Sequence, residues 1–265
     1  MMKSVLFSPP ALLLALATPA LADTPQPEPP GKGMIEQPCP DVTGLWFASP
    51  YVKQYDWAFL CRYAAENAAL DPAQPVRAVF IGDSITEGWK GKAPDLFGAE
   101  VLDRGISGQT TPQLLVRFSP DVLALHPRVV HIMGGTNDLA GNTGPNSIDQ
   151  FRANIRAMVT LAKANGITVI IGSILPADHF NWSPGLQPAR QIAELNGWLR
   201  KFAADNGLVY ADYYSALAGP AGELPAAYSG DGVHPNAAGY AVMEPIARRA
   251  LEKAEALAGP PEDRR

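Results

Sequence analysis

Cysteine, histidine and clustered basic charge are all scarce in this 265-residue chain, and each shortage removes a class of function. The two cysteines, Cys39 and Cys61, cannot build a disulfide-rich scaffold, and no Cys-x-x-Cys or His-x-x-x-His spacing occurs among them and the four histidines. No metal site is expected. Lysine and arginine number 21 against 26 aspartates and glutamates, a net charge of −5 without a basic patch. Nucleic acid and anionic membrane surfaces are therefore poor partners. There is no glycine-rich phosphate loop, so the chemistry should need no cofactor. Long apolar runs are missing after the first twenty or so residues, and no stable membrane insertion is expected.

Residues 1–22 have the form of a cleaved signal peptide: Lys3, an apolar stretch at 11–17, then Ala20-Leu21-Ala22 as a small-x-small cleavage site. Pro9, Pro10 and Pro19 interrupt the stretch, which falls short of the ~20 apolar residues of a membrane span. An exported protein, periplasmic or secreted, is expected. Removing Lys3 with the leader moves the net charge from −5 to −6. In an oxidising compartment an even cysteine pair suggests one disulfide between Cys39 and Cys61. A free Cys61 would also be content on the apolar side of a helical stretch with Trp57, Leu60 and Ala64. Residues 23–41 hold six prolines (Pro25, Pro27, Pro29, Pro30, Pro38 and Pro40) and read as an arm. Residues 42–258 are long enough for one well-buried domain, and 259–265 form a flexible tail.

From residue 76 onward, short β-branched runs alternate with helical periodicity. The runs lie at 76–81, 101–103, 129–133, 167–171 and, more weakly, 208–210. Helical spacing of apolar residues occupies 55–70, 111–125, 148–165, 189–206 and 237–257. Such alternation predicts an α/β fold: a mostly five-stranded parallel sheet between helix layers, a three-layer αβα sandwich. Ligands of such sheets bind beyond the carboxyl ends of the strands. Ser84 follows the first strand, Gly105 the second, and Gly134-Gly135-Thr136-Asn137-Asp138 the third, so three polar segments converge on one edge.

Ser84 sits in a small-residue turn directly after an apolar run, the placing of a nucleophile. A serine hydroxyl needs a base to take its proton and donors to hold the oxyanion. Asp231 and His234 are three apart in a tight turn, close enough for the carboxylate to accept the Nδ1 proton while Nε2 faces the serine. Asp178-His179 follows the fourth strand and is a rival pair, although neighbouring residues seldom hydrogen-bond as a triad pair. His131 lies inside an apolar strand as a core residue, and His126 closes a helix.

Each of these motifs taken singly is a common turn or cap. In order, Gly82-Asp83-Ser84-Ile85, Gly105-Ile106-Ser107-Gly108, Gly134-Gly135-Thr136-Asn137-Asp138 and Asp231-Gly232-Val233-His234 resemble the four blocks of the SGNH hydrolase family, the GDSL esterases or lipases. The resemblance covers residues 76–251. It implies the flavodoxin-like SGNH hydrolase fold, with Ser84 as nucleophile, His234 as base and Asp231 as the acid that orients it. It also implies an oxyanion hole made by the backbone N–H groups of Ser84 and Gly105 and the side chain of Asn137. Gly105 suits that role because its backbone can approach the substrate, and Asn137 because an amide donates without adding charge. Asp83 is expected to order the surrounding loops.

The implied reaction is hydrolysis of a carboxylic ester through an acyl-serine. The loop 176–188 carries Phe180 and Trp182, expected to wall the acyl or alcohol pocket. No long amphipathic lid is present. Similarity to acetylesterase-like members points to short acyl esters, especially acetyl groups on carbohydrate. Lysophospholipase, thioesterase and arylesterase activities belong to the same family and remain open, as does a carbohydrate O-acyltransferase using the same residues. A non-catalytic carbohydrate-binding module is the remaining class, and the sequence leaves the oligomeric state open.

Overall fold

A computed structural model of the chain describes residues 27–33, 38–42 and 44–259. The expected signal peptide, residues 1–22, and the tail beyond Gly259 lie outside the described residues. Five strands, β1 (Ala78–Gly82), β2 (Val101–Gly105), β3 (Val129–Met133), β4 (Thr168–Gly172) and β5 (Val209–Ala211), form one sheet. Its order is β2-β1-β3-β4-β5, and every pairing is parallel. In chain order the helices are α1 (Pro50–Tyr55), α2 (Ala64–Ala68), α3 (Ser84–Glu87), α4 (Thr111–Asp121), α5 (Thr136–Ala140), α6 (Ile148–Ala164), α7 (Ala189–Asp205), α8 (Tyr214–Leu217) and α9 (Ala237–Ala258). Among these described helices none is long and apolar enough to cross a membrane.

Both faces of the sheet are covered, which is why the strands are apolar at nearly every position rather than at alternate ones. The period of two still sorts the side chains. Val79 and Ile81 of β1 enter one core with Leu114 and Phe118 of α4, Ile155 and Met158 of α6, and Leu195 and Leu199 of α7. Ala78 and Phe80 enter the opposite core with Met243, Ala247 and Leu251 of α9. This is the expected three-layer sandwich. In the second core His131 is fully buried, stacked on Phe80 with ring centroids 4.4 Å apart, and its Nε2 lies 2.9 Å from the Tyr213 hydroxyl. Burial holds its pKa down at about 3, so it is neutral.

The one helix expected over 55–70 is broken. Phe59 adopts a left-handed conformation (φ 54°), and the Asp56 carboxylate accepts the N–H groups of Leu60 (2.7 Å) and Cys61 (3.0 Å) as the chain restarts. The break turns Phe59 and Tyr63 inward, where they join Trp46, Val52 and Ile106 in a small satellite core, and leaves Trp57 and Leu60 exposed. Helical spacing of apolar residues misled here because the buried set belongs to two short segments. A disulfide joins Cys39 to Cys61, tying the proline-rich arm to this unit.

β1 lies between β2 and β3, so the crossovers diverge on either side of it. Its carboxyl end is the switch point of the sheet, the place where ligands of such folds bind. Ser84 follows β1 there after a single residue, Asp83.

Candidate active site

The turn from β1 into α3 is close-packed. A Cβ on Gly82 would overlap the Thr86 side chain and lie 2.6 Å from the Met133 carbonyl oxygen, so a glycine is needed where the chain folds back over its own strand. Asp83 caps α3, its Oδ1 accepting the Ile85 N–H at 3.0 Å. Its other oxygen is 3.3 Å from Asn137 Nδ2. Burial pushes the Asp83 carboxyl up to about 6, against the opposing pull of the Ile85 N–H and His234. Asp83 thus spans the first and third polar segments.

Ser84 Oγ lies 2.9 Å from His234 Nε2, and His234 Nδ1 lies 2.7 Å from Asp231 Oδ2. The loop bearing the pair is fixed locally. Asp231 Oδ1 accepts the N–H groups of Val233 (2.9 Å) and His234 (2.8 Å), while the buried Ser229 hydroxyl sits 3.0 Å from the same oxygen. Asn236 then caps α9 through Gly239 N–H, which anchors the loop to the second core. Burial raises the Asp231 pKa, but the bonds from the His234 ring and from the His234 and Val233 N–H groups outweigh it. The carboxyl is held well below its ordinary range, so it is anionic whenever the imidazole can accept a proton.

Two expected residues stand differently. Gly105 N–H donates to Asp103 Oδ1 at 2.8 Å, so its one donor is already taken by a carboxylate, and its carbonyl accepts the Tyr63 hydroxyl at 2.5 Å. Gly105 is a glycine because a Cβ would overlap the α3 backbone at Thr86 and Glu87. Among the described residues, the N–H of this loop without a protein hydrogen-bond partner belongs to Gly108, which has a φ of +78°. Phe180 is 1% exposed, in the core with α7 residues, and so offers almost no surface to a substrate. Trp182 stacks on it at 5.2 Å, is 43% exposed, and has its ring 6.0 Å from that of His234.

Asp178 and His179 do hydrogen-bond, Nδ1 to Oδ1 at 2.6 Å, contrary to expectation for neighbours. The His179 ring lies against Gly232, outside the 231–234 loop, and it has no bond to Ser84 among the described contacts.

Several residues that hold the site carried no recognised signal. Fully buried Arg117 donates from Nη2 to the Gly82 carbonyl (2.7 Å), from Nε to Gln109 Oε1 (2.5 Å) and from Nη1 to Asp121 (3.1 Å), joining the end of β1 to the second loop. Glu87 accepts both the N–H and the hydroxyl of Ser107. Trp46 Nε1 donates to the Ser107 carbonyl at 2.9 Å, bringing the N-terminal unit onto the same loop. Helical pattern put Arg117 within a helix, but only its burial identifies it as a brace.

Residues 80–242 match the sequence profile of the GDSL-like Lipase/Acylhydrolase family. A GDSL-like lipase from Bacteroides thetaiotaomicron VPI-5482 superposes with a TM-score of 0.71 at 45% identity, over 75% of this chain and 99% of that one. An acetylxylan esterase from Geobacillus stearothermophilus is 28% identical over 159 residues, 57% of this chain and 70% of that protein. An uncharacterized lipoprotein of Bacillus subtilis (strain 168), YqeF, is 36% identical over 80 residues, 29% of this chain and 33% of that protein.

Proposed function

The chain belongs to the GDSL-like lipase/acylhydrolase family and is an esterase of that class, and from this premise we propose that it hydrolyses short acyl esters, chiefly acetyl groups on carbohydrate, through an acyl-Ser84 intermediate. The observation that carries the mechanism is the relay from Ser84 Oγ to His234 Nε2 (2.9 Å) and from Nδ1 to Asp231 (2.7 Å). Ser84 Oγ attacks the ester carbonyl carbon as Nε2 takes its proton, and Asp231 stabilises the resulting imidazolium. The tetrahedral oxyanion is held by the N–H groups of Ser84 and Gly108 and the Asn137 amide. Collapse breaks the bond to the alcohol oxygen, which leaves with the proton returned by His234. Water then attacks the acyl-serine, gives its proton to His234, and the carboxylic acid departs as Ser84 regains a proton.

The carbohydrate reading rests on the exposed Trp182 beside His234 and on similarity to an acetylxylan esterase. An indole face near the leaving-group side suits the apolar face of a pyranose ring. Export of the mature enzyme is supported by the Cys39–Cys61 disulfide and by the lipoprotein relative.

A panel of acetyl, butyryl and octanoyl aryl esters, acetylated xylo-oligosaccharide and a lysophospholipid, with Ser84→Ala as control, tests the proposal. Highest kcat/KM on the acetylated sugar, abolished in Ser84→Ala, is the expected result. Turnover retained by Ser84→Ala removes the acyl-serine mechanism, and preference for octanoyl or lysophospholipid esters removes the substrate assignment. A stable acylated sugar formed at the expense of free acid would instead mark a transferase.

A further inference from the structure

Asn142 lies outside the four motifs, and its side chain is bonded to three parts of the site at once. It follows α5, which ends at Gly141 in a left-handed conformation (φ 74°). The reversal sends the Asn142 N–H back to the Asn137 carbonyl at 3.1 Å, the six-to-one bond of a Schellman turn. The Asn142 side chain thereby returns over Asn137. Its Nδ2 donates to Asn137 Oδ1 (2.8 Å) and to the Gly108 carbonyl (3.2 Å), and its Oδ1 accepts the Trp182 indole N–H (3.0 Å).

The chemistry of these partners fixes which way both amides point. An indole N–H only donates and a backbone carbonyl only accepts, so Asn142 has one satisfied orientation. That orientation presents N–H to Asn137, whose oxygen must then face Asn142 and whose Nδ2 must face the opposite way. There it lies 3.0 Å from the Gln109 carbonyl and, more loosely, 3.3 Å from Asp83, the residue preceding Ser84. Both protons thus have a partner, and the one an oxyanion would have to draw away is the longer bond, to Asp83 at 3.3 Å. The same Asn142 amide nitrogen holds the carbonyl of Gly108, whose N–H has no protein partner among the described residues.

We infer that Asn142 is a positioning residue that orients two of the three oxyanion donors, Asn137 and Gly108, and links them to the Trp182 platform. The inference rests on the esterase reading for its catalytic meaning. Asn142→Asp is the sharper variant: it keeps the shape, the turn and an acceptor for Trp182, but turns an oxygen toward two oxygens. Loss of an oxyanion donor lowers turnover by about two orders of magnitude, so misorienting Asn137 should lower kcat on an aryl acetate ~10- to 100-fold with KM little changed. Asn142→Ala should lose a similar factor, and a much smaller one in an Asn137→Ala background, because the two residues act as a unit.

The test measures kcat and KM for these variants, their thermal melts, and the rate of Ser84 phosphonylation by a fluorophosphonate, followed by mass spectrometry. Slower kcat and slower phosphonylation in folded Asn142→Asp are expected. Wild-type rates in folded Asn142→Asp, or equal losses from Asn142→Ala in both backgrounds, overturn the positioning role and leave the esterase reading standing. A wild type that is phosphonylated but turns over no ester strikes the esterase reading alone, and the relative phosphonylation rates then decide for or against Asn142. A wild type that does neither overturns both.

Discussion

Removing the Cys39–Cys61 disulfide by the double substitution Cys39→Ser, Cys61→Ser should lower the temperature at which activity is lost before it unfolds the sheet. The bridge spans 22 residues, for which the chain-entropy account gives about 3 kcal/mol of stabilisation. The segment it closes is held to the body by few contacts. Of the satellite core, Trp46, Val52 and Phe59 belong to the closed segment, and its polar ties include Trp46 to the Ser107 carbonyl (2.9 Å), Gln109 to the Ala58 carbonyl (2.8 Å) and Gln113 to the Trp57 carbonyl (2.7 Å). All of those partners lie on the 105–109 loop or the start of α4, and Phe47 lies against Gly108. Release of the segment should therefore loosen the loop that offers the Gly108 N–H. For a chain of this size about 3 kcal/mol corresponds to a shift of roughly 6–12 °C. The assay is residual hydrolysis of an aryl acetate against temperature, paired with a far-ultraviolet circular dichroism melt. The activity midpoint should fall by that amount, with the dichroism midpoint falling less. Two midpoints that stay within about 2 °C of the wild type would refute the reasoning.

Gly105→Ala keeps its N–H, so a pure donor role would leave the enzyme intact; the overlap with the α3 backbone instead predicts a strong loss of stability, read by urea unfolding. If the proposed carbohydrate reading holds, Trp182→Ala should raise KM for acetylated xylo-oligosaccharide about tenfold while leaving an aryl acetate within about threefold, because only the sugar would be long enough to meet the indole face; equal changes on both would count against the platform. His131 binds no proton in the folded protein until about pH 3, whereas its ordinary value is 6.5, so its stabilising contribution is complete above 6.5 and is lost as pH falls below that value. At about pH 4.5 the difference is ~3 kcal/mol, and His131→Gln should lose less stability than the wild type between pH 7 and that point; parallel urea-unfolding profiles for the two proteins would contradict a neutral buried imidazole.

The α/β alternation was readable from the chain because each strand is a short, nearly continuous apolar run and each long helix carries a helical period. Val79 and Ile81 differ from Ala78 and Phe80 only in which face they serve, and both faces are apolar, so the strand reads clearly either way. The serine turn and the Asp231–His234 pair were readable for the same local reason. Three residues of spacing set the carboxylate–imidazole bond, and Asn236 next to them caps the helix that anchors it. The segment 55–70 was not readable, because Phe59 takes a left-handed conformation to enter a core shared with Trp46 and Ile106.

Sequence by itself determined the order of the motifs and, through the parallel sheet, the edge where they meet. Tertiary structure alone decided which groups at that edge are free. Gly105 and Gly108 stand three residues apart in one motif, but Asp103 takes the N–H of the first, and the N–H of the second has no partner among the described residues. Phe180 and Trp182 stand two apart in one loop, but packing against α7 buries one and leaves the other beside His234. Asn142 acquired its place only when Gly108, Asn137 and Trp182 came together around it. A residue type fixes what a group can donate or accept, and only the folded chain fixes whether a neighbour has already taken it.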